Sequence, residues 1–148
     1  MRIVLSGAAG FIGSHFCDRS LAEGHTVVGL DNFLTGSPQN IQHLAGEARF
    51  RFIEQDITDE FSIDGPVDCV VNMASPASPK DYLEHPIETL EVGSRGTQRM
   101  LELVVGRGSE QFRNRRSAAV WTWRCNWLLP LRARSSEWRP SACGITSA

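Results

Sequence analysis

Short apolar runs and helical periods alternate along the first part of the chain. Four runs rich in β-branched residues, each followed by polar or glycine residues, predict buried β-strands. The third run alternates apolar and polar positions, which is typical of a strand near the edge of a sheet. The four predicted strands are Arg2–Ser6, Thr26–Asp31, Arg49–Glu54 and Asp68–Asn72.

Two longer segments have helical spacing. The first helix is predicted from Phe11 to Glu23, and Gly24 follows where a left-handed cap is expected. Its apolar positions are Phe11, Ile12, Phe16 and Leu21. The second is predicted from about Pro86 to Val105, and the positions on one of its faces are Leu90, Thr97, Leu101 and Val105. Strands separated by helices predict an α/β fold with a right-handed doubly wound parallel sheet over residues 1–105.

A glycine-rich turn joins the first predicted strand to the first predicted helix. Its glycines, Gly7, Gly10 and Gly13, follow the spacing G-x-x-G-x-x-G. Glycines there let the backbone bend tightly and approach a pyrophosphate, while the helix N-terminus offers free N–H groups and a positive dipole end. The spacing departs from the standard G-x-G-x-x-G, so its place between a strand and a helix is what favours dinucleotide binding.

An acidic residue at the end of the second strand supplies the other half of this pattern. Asp31 lies 18 residues after Gly13, close to the roughly 20 at which a carboxylate accepts hydrogen bonds from the adenosine ribose hydroxyls. Because a carboxylate there repels a 2′-phosphate, the sequence predicts NAD rather than NADP. The alternative is that the glycines close an ordinary β–α turn and that Asp31 is simply exposed.

Composition narrows the class of protein. With 148 residues, 41% hydrophobic and 22% charged, the chain has the length and balance of one globular domain rather than of a disordered or collagenous chain. No apolar run reaches the roughly 18 residues that a membrane-spanning helix needs, and no secretion signal is visible. The four cysteines are dispersed without a C-x-x-C pair, which predicts reduced thiols, no metal site and a cytoplasmic location.

Four segments together resemble one enzyme family. They are Ser6–His15, Leu30–Gly36, Gln55–Ile57 and Asn72–Pro79. They are similar to the extended short-chain dehydrogenase/reductases that act on nucleotide sugars, and among these to the UDP-glucuronate decarboxylases, from Met1 to about Leu103. The resemblance implies a Rossmann fold, NAD as cofactor, and a nucleotide sugar, UDP-glucuronate, as the partner of the intact family. No nucleic acid is expected as a partner.

The resemblance also implies which residues meet the ligands. Those expected around the pyrophosphate are Gly7, Gly10, Phe11, Ile12 and Gly13. Those expected at the adenosine ribose are Asp31, Asn32, Phe33, Thr35 and Gly36. Those expected at the adenine and near the nicotinamide ribose are Asp56, Ile57, Met73, Ala74 and Ser75. Tyr82 is implied as a substrate contact.

Some of these residues have second interpretations. Asp56 also fits the start of a helix, because the segment Asp56-Ile-Thr-Asp59 resembles a cap, and this role is compatible with adenine contact. Pro76 and Pro79 could serve only to keep their loop extended. Glu91 stands where the family often has a lysine, and a carboxylate facing an anionic sugar would repel it.

The resemblance implies a decarboxylation for which this chain lacks the base. In the family the sugar C4 hydroxyl is oxidised by hydride transfer to NAD, carbon dioxide leaves and the hydride returns, with a Tyr-x-x-x-Lys pair supplying the base. Here the only tyrosine, Tyr82, is followed four residues later by Pro86, and no lysine follows Lys80. We expect an NAD-binding fragment, inactive alone and with no catalytic residue. The alternative is a non-catalytic NAD-binding or interaction module.

Residues 106–148 differ in composition from the rest. Through Leu103 the chain has 7 basic and 15 acidic residues, whereas from Val104 onward it has 8 arginines, 2 glutamates and all four tryptophans. Three interpretations are open: a frameshifted, non-family tail; a genuine basic aromatic tail that binds phosphates, bases or a membrane interface; and a divergent final strand over Ser117–Leu131. The sequence does not report the oligomeric state, because the resemblance places the family's helix-bundle dimer beyond this chain.

Overall fold

The computed structural model describes residues 1–105 and 119–122. Within these ranges one sheet contains the strands β1 Arg2–Ser6, β2 Thr26–Asp31, β3 Phe50–Glu54, β4 Cys69–Asn72 and β5 Ala119–Thr122. Their order is β3-β2-β1-β4-β5, and every neighbouring pair is parallel. Each of the four predicted strands is present to within one residue, and β3 lies at an edge as its alternating pattern indicated.

Helices follow β1 and β4, and only short turns lie between β2 and β3. The helices are α1 Phe11–Ala22, α2 Pro79–Glu84, α3 Pro86–Glu91 and α4 Thr97–Val105, with a π-helical turn at Val92–Gly96 between α3 and α4 and short 3₁₀ turns at Pro38–Asn40 and Gln42–Leu44. Gly24 has a φ of +83° just after α1, which confirms the predicted left-handed position. Among the described helices, none combines the length and the apolar character needed to cross a bilayer.

Apolar side chains are buried on both faces of the sheet. Along β1, Ile3 and Leu5 belong to one buried cluster and Val4 to the other. The first cluster includes Leu21 of α1, and the second includes Met100 of α4. Because helices cover both faces, the strands are almost continuously apolar. The predicted doubly wound parallel sheet is confirmed.

Two of the four apolar positions of the first helix lie outside the core. Phe11 and Ile12 are 77% and 54% exposed, because they occupy the first turn, where α1 leaves the glycine-rich loop. The buried positions are Gly13, Ser14, Cys17, Ser20 and Leu21. Most of these are small, so α1 can lie close to the sheet.

The second predicted helix is interrupted by the π-helical turn, which changes its buried face. A π turn takes up about one residue more than an α turn, and so rotates the residues that follow it. Met100 is fully buried, whereas Leu90 is 69% exposed. The predicted common face of Leu90 and Thr97 is therefore wrong: Leu90 lies outward, while the Thr97 hydroxyl accepts a hydrogen bond from Asn72 of β4 at 3.0 Å.

Strand β5 lies within the region that has three open interpretations. Ala119–Thr122 pairs in parallel with β4, which is the position that a divergent final strand would take. Residues 106–118 and 123–148 lie outside the described ranges. The boundary at residue 105 and all three interpretations of the tail involve those residues, so they stay predictions.

Candidate functional site

Loops at the carboxyl ends of β1 to β4 line one cleft. The strand order reverses at β1, and ligands of open parallel sheets bind beside such a reversal. The predicted site residues that line the cleft are Gly7, Gly10, Asp31, Asn32, Thr35, Gly36, Asp56, Ile57, Met73, Ala74 and Ser75. The structure therefore brings together most of the residues that the sequence singled out.

Other predicted site residues do not line this cleft. Phe11 and Ile12 have exposed side chains, so their contacts with a ligand there would come from their backbone N–H groups. Phe33 has a φ of +58°, and its ring packs beside that of Phe52 with the centroids 5.2 Å apart. Tyr82 is on α2, is 41% exposed and is not among the cleft-lining residues of the described chain.

Two glycines of the loop after β1 are required by close packing. Gly7 has a φ of +74°, and a Cβ there would stand 2.7 Å from the carbonyl carbon of Met73. A Cβ on Gly13, which lies outside the cleft lining, would stand 1.9 Å from the carbonyl oxygen of Gly7. Gly10 differs, since the nearest described atom to a Cβ there is the Gly7 carbonyl oxygen at 3.3 Å. A Cβ at Gly10 would therefore need the Gly7 carbonyl to shift by only a few tenths of an ångström, a much smaller adjustment than at Gly7 or Gly13.

We expect Gly7→Ala to lower the free energy of unfolding by about 2 to 5 kcal/mol. A left-handed φ costs an L-residue about 1 to 2 kcal/mol, and the overlap with Met73 adds about 1 to 3 kcal/mol. Urea denaturation followed by circular dichroism measures the loss. Gly46→Ala is the matched control, because Gly46 has a φ of +94° but a Cβ there meets no described atom within 4 Å. Equal losses in both variants would contradict the close packing at Gly7.

The first turn of α1 begins at the cleft. Gly10 is the N-cap residue, its backbone is extended, and among the described residues no side chain caps this end of the helix. The first N–H groups of a helix have no acceptor within the helix, so those of Phe11, Ile12 and Gly13 are available to a ligand. Together with the positive end of the helix dipole, they can bind a phosphate group without a basic side chain.

Asp31 ties the loops after β1 and β2 together. Its side chain is buried, with Oδ2 accepting a hydrogen bond from the Ala9 N–H at 2.9 Å and Oδ1 accepting one from the Phe33 N–H at 2.8 Å. Each carboxylate oxygen has two acceptor positions, so capacity is left for a ribose hydroxyl. The alternative of a simply exposed Asp31 is wrong.

Asp56 fixes the loop after β3. Its Oδ1 accepts hydrogen bonds from the Thr58 N–H at 2.8 Å and hydroxyl at 2.7 Å, and its Oδ2 accepts one from Asn32 Nδ2 at 2.8 Å. Burial raises the pKa of Asp56, but these hydrogen bonds outweigh burial and hold the pKa below its ordinary value. The predicted cap is present as a turn, in which the Asp59 N–H donates to the Asp56 carbonyl, although no helix follows before β4.

A buried polar network joins the loops after β1 and β4. The Ser6 hydroxyl donates to Asn72 Oδ1 at 2.6 Å, and Asn72 Nδ2 donates to the Thr97 hydroxyl at 3.0 Å. The Met73 N–H donates to the Ser6 carbonyl oxygen at 3.1 Å. With the carboxylate contacts above, these bonds connect all four loops and fix the shape of the cleft.

The cleft includes residues beyond the cofactor contacts that the resemblance implied. They are Leu30, Leu34, Gln55, Thr58, Pro76, Glu88, Glu91 and Val92. The first five adjoin assigned residues on the same loops, and extending each loop by one or two residues would have found them. Glu88 and Glu91 come from α3, which reaches the cleft because Val92 packs in the same cluster as Ile57. The sequence had singled out Glu91 as the position where the family often has a lysine, and Glu88 lies three residues earlier on the same helix.

The described cysteines are not suited to nucleophilic chemistry. Burial, with the Asp18 carboxylate adding to it, raises the pKa of Cys17 to about 12. Burial and Asp68 raise the pKa of Cys69 to about 11. Both thiols are therefore protonated at neutral pH, and the thiolate is the reactive form.

Comparison with known proteins identifies the family. The profile of the NAD dependent epimerase/dehydratase family matches residues 3–126. The chain belongs to this family. The match runs past Leu103, where the resemblance noted in the sequence ends, and it includes β5.

Individual members of the family are similar over the same region. UDP-glucuronic acid decarboxylase 1 of Danio rerio is 42% identical over 102 residues, which are 69% of this chain and 24% of that protein. A dTDP-glucose 4,6-dehydratase double mutant from Streptomyces venezuelae, solved with NAD bound, has a TM-score of 0.61 at 28% identity, over 72% of this chain and 36% of the other.

A second solved structure is similar to the chain over the same region. UDP-glucose 4-epimerase from Thermotoga maritima, solved with UDP-glucose, has a TM-score of 0.62 at 30% identity, over 73% of this chain and 35% of the other. These likenesses confirm the Rossmann fold and the predicted resemblance. The chain spans about a quarter of the length of the curated relative and about a third of each solved chain.

Proposed function

We propose that the described part of this chain binds NAD in the cleft, as the cofactor-binding part of an enzyme that acts on a nucleotide sugar. The observation that carries the proposal is the uncapped N-terminus of α1, which opens at Gly10 into the same cleft as the buried carboxylate of Asp31. A phosphate-binding helix end beside a ribose-binding carboxylate matches a dinucleotide. When bound, NAD supplies a hydride acceptor.

Each part of NAD has a proposed group of residues. The pyrophosphate is bound by Gly7, Gly10 and the N–H groups of Phe11, Ile12 and Gly13. The adenosine ribose is bound by Asp31, Asn32, Thr35 and Gly36. Phe33 supports the same loop through its contact with Phe52. The adenine contacts Asp56 and Ile57. The nicotinamide ribose contacts Met73, Ala74 and Ser75.

For the complete protein we propose a nucleotide sugar as the substrate class. The relatives' names support it, since they include UDP-glucuronic acid decarboxylase and UDP-glucose 4-epimerase. UDP-glucuronate is the first substrate to test. The role of Tyr82 as a substrate contact and the cytoplasmic location stay predictions. A non-catalytic NAD-binding module is the second candidate for the 148-residue chain, favoured by its lack of a Tyr-x-x-x-Lys pair.

Calorimetric titration of the purified chain with NAD tests the proposal. We expect saturable binding with one NAD for each chain. A folded protein, verified by circular dichroism, that gives no binding heat and no ligand-induced rise in melting temperature would overturn the proposal. The rise in melting temperature is expected because a ligand that binds only the native state stabilises it.

We expect Gly10→Asp to reduce NAD affinity by at least about tenfold without loss of stability. The backbone of Gly10 has a φ of −73°, which any residue adopts, so the variant should fold. An aspartate at an N-cap accepts hydrogen bonds from the first helical N–H groups and stabilises a helix by only a few tenths of a kcal/mol relative to glycine. The same carboxylate would repel the pyrophosphate and take its donors.

The control for Gly10→Asp is Gly93→Asp. Gly93 lies in the π-helical turn, and a Cβ there meets no described atom within 4 Å. The control changes the net charge equally but lies outside the cleft lining, so NAD affinity should be retained. Calorimetry for binding and urea denaturation for stability would be run on both variants. Equal NAD affinity in the two variants would show that the phosphates do not bind at Gly10.

A further inference from the structure

The cleft is acidic. Its lining includes the carboxylates of Asp31, Asp56, Glu88 and Glu91, and among the described residues that line it there is no lysine, arginine or histidine. Asp31 and Asp56 hold loops through hydrogen bonds and have proposed contacts with the cofactor. Glu88 and Glu91 have neither role, yet they face a cleft proposed for an anionic ligand.

The charges of the two glutamates are only partly offset by their neighbours. Glu91 Oε1 lies 3.7 Å from Nη2 of Arg95, and the two side chains are 43% and 59% exposed. Glu88 Oε1 lies 3.9 Å from Nδ1 of His85, which carries a charge only when protonated. Exposed pairs at such separations interact weakly. Because neither partner lines the cleft, the negative potential of the glutamates acts on a ligand within it.

A negative potential separates the two redox forms of the cofactor. Oxidised NAD has a positively charged nicotinamide ring and one net negative charge, whereas NADH has a neutral ring and two net negative charges. The phosphates, and their attraction to the N-terminus of α1, are the same in both forms. Any electrostatic preference therefore arises from the charge that disappears when the ring is reduced, and a carboxylate-lined cleft favours the form that keeps this charge.

We propose that Glu88 and Glu91 make the cleft select oxidised NAD over NADH. This inference rests on the proposed function, because it assumes that the cofactor occupies the cleft. It assigns to two residues of α3 a specificity role that the sequence motifs do not include. An enzyme whose reaction begins by oxidising its substrate must be loaded with the oxidised cofactor, and these carboxylates would favour that state.

The test compares the affinities of NAD and NADH in three forms of the chain. They are the unaltered chain, the cleft variant Glu88→Gln with Glu91→Gln, and a control variant with Glu84→Gln and Glu102→Gln. The control removes the same charge from side chains outside the cleft lining, each of which also has a basic partner, Lys80 for Glu84 and Arg99 for Glu102. Dissociation constants would be measured by calorimetry at about 20 mM and about 500 mM salt, since salt screens exposed charges.

In the unaltered chain at low salt we expect NADH to bind about three to ten times more weakly than NAD. The ratio of the NADH dissociation constant to the NAD dissociation constant should be about threefold lower in the cleft variant than in the unaltered chain. High salt should lower this ratio in the unaltered chain, because salt screens the glutamates. The control variant should have the same ratio as the unaltered chain. Two single variants extend the test: Glu91→Lys, which reverses a charge, should lower the ratio further than Glu91→Gln, which only removes one. Since these side chains are 54% and 43% exposed, the variants should fold.

The outcomes separate this inference from the function on which it rests. If both cofactors bind and the ratio is the same in the unaltered chain and the cleft variant, the selection by Glu88 and Glu91 is overturned while NAD binding stands. An equal shift in the control variant would likewise overturn it, because total charge would then be the cause. If no form of the folded chain binds NAD or NADH, the proposed function fails, and the inference fails with it.

Discussion

No measurable turnover of UDP-glucuronate is expected from the purified 148-residue chain, even with NAD bound. General base catalysis contributes about 10² to 10⁴ to the rate of such a step, and the sequence contains no Tyr-x-x-x-Lys pair to provide the base. The chain also spans only 24% of the length of the Danio rerio decarboxylase. Residues that would hold the sugar against the nicotinamide are a further requirement, because positioning makes hydride transfer effectively intramolecular.

The measurement is an incubation with UDP-glucuronate and NAD, followed by chromatographic detection of UDP-xylose or the 4-keto sugar. A reaction without protein sets the background. Product above that background which disappears in Gly10→Asp would contradict the prediction. It would show that catalysis proceeds through cofactor bound at α1 and through residues other than a tyrosine base.

The strands could be predicted from the sequence because the sheet is covered on both faces. Val4 and Leu5 of β1 are both fully buried, although their side chains point in opposite directions. A strand of this kind must be apolar at nearly every position, and no surface helix has that pattern. The predicted bounds of β1 and β2 therefore agree with the structure residue for residue.

The helical region after β4 was harder to predict, for reasons of length and register. Helix α2 has six residues, which is too short for a 3.6-residue period to show. Its signal is local: Ser78 accepts a hydrogen bond from the Asp81 N–H at 3.1 Å, and Pro79 occupies the first turn. The π-helical turn has no comparable signal. It depends on tertiary packing, since a Cβ on Gly96 would stand 2.8 Å from Ile57 Cδ1.

In the cleft, too, residues placed by strand order could be predicted, whereas residues placed by tertiary packing could not. Gly7, Asp31 and Met73 could be placed there because the carboxyl ends of neighbouring parallel strands meet at one edge. Phe33 could not, because its left-handed backbone and its contact with Phe52 depend on how the loop folds over β3. Glu88 could not either, since a residue on a helix reaches the cleft only through the angle at which that helix packs.

Asp31→Ala should weaken NAD binding by about 10- to 100-fold and reduce the discrimination against NADP. The lost hydrogen bonds to the ribose hydroxyls are charge-assisted and contribute about 1.5 to 3 kcal/mol. The repulsion that the carboxylate exerts on a 2′-phosphate is lost at the same time. Affinity for NADP should therefore fall less than affinity for NAD, and calorimetric titration with both cofactors measures the difference.

The structure adds a second effect of this substitution, which the experiment must separate from the first. Asp31 also accepts hydrogen bonds from Ala9 and Phe33, so its loss loosens two cleft loops and lowers affinity for both cofactors together. Only loss of the carboxylate's direct action on the ribose changes the ratio of the NAD and NADP affinities. Asp59→Ala, which removes an exposed carboxylate outside the cleft lining, should change neither affinity. An unchanged ratio in Asp31→Ala would leave Asp31 as a loop anchor and assign cofactor choice to other residues.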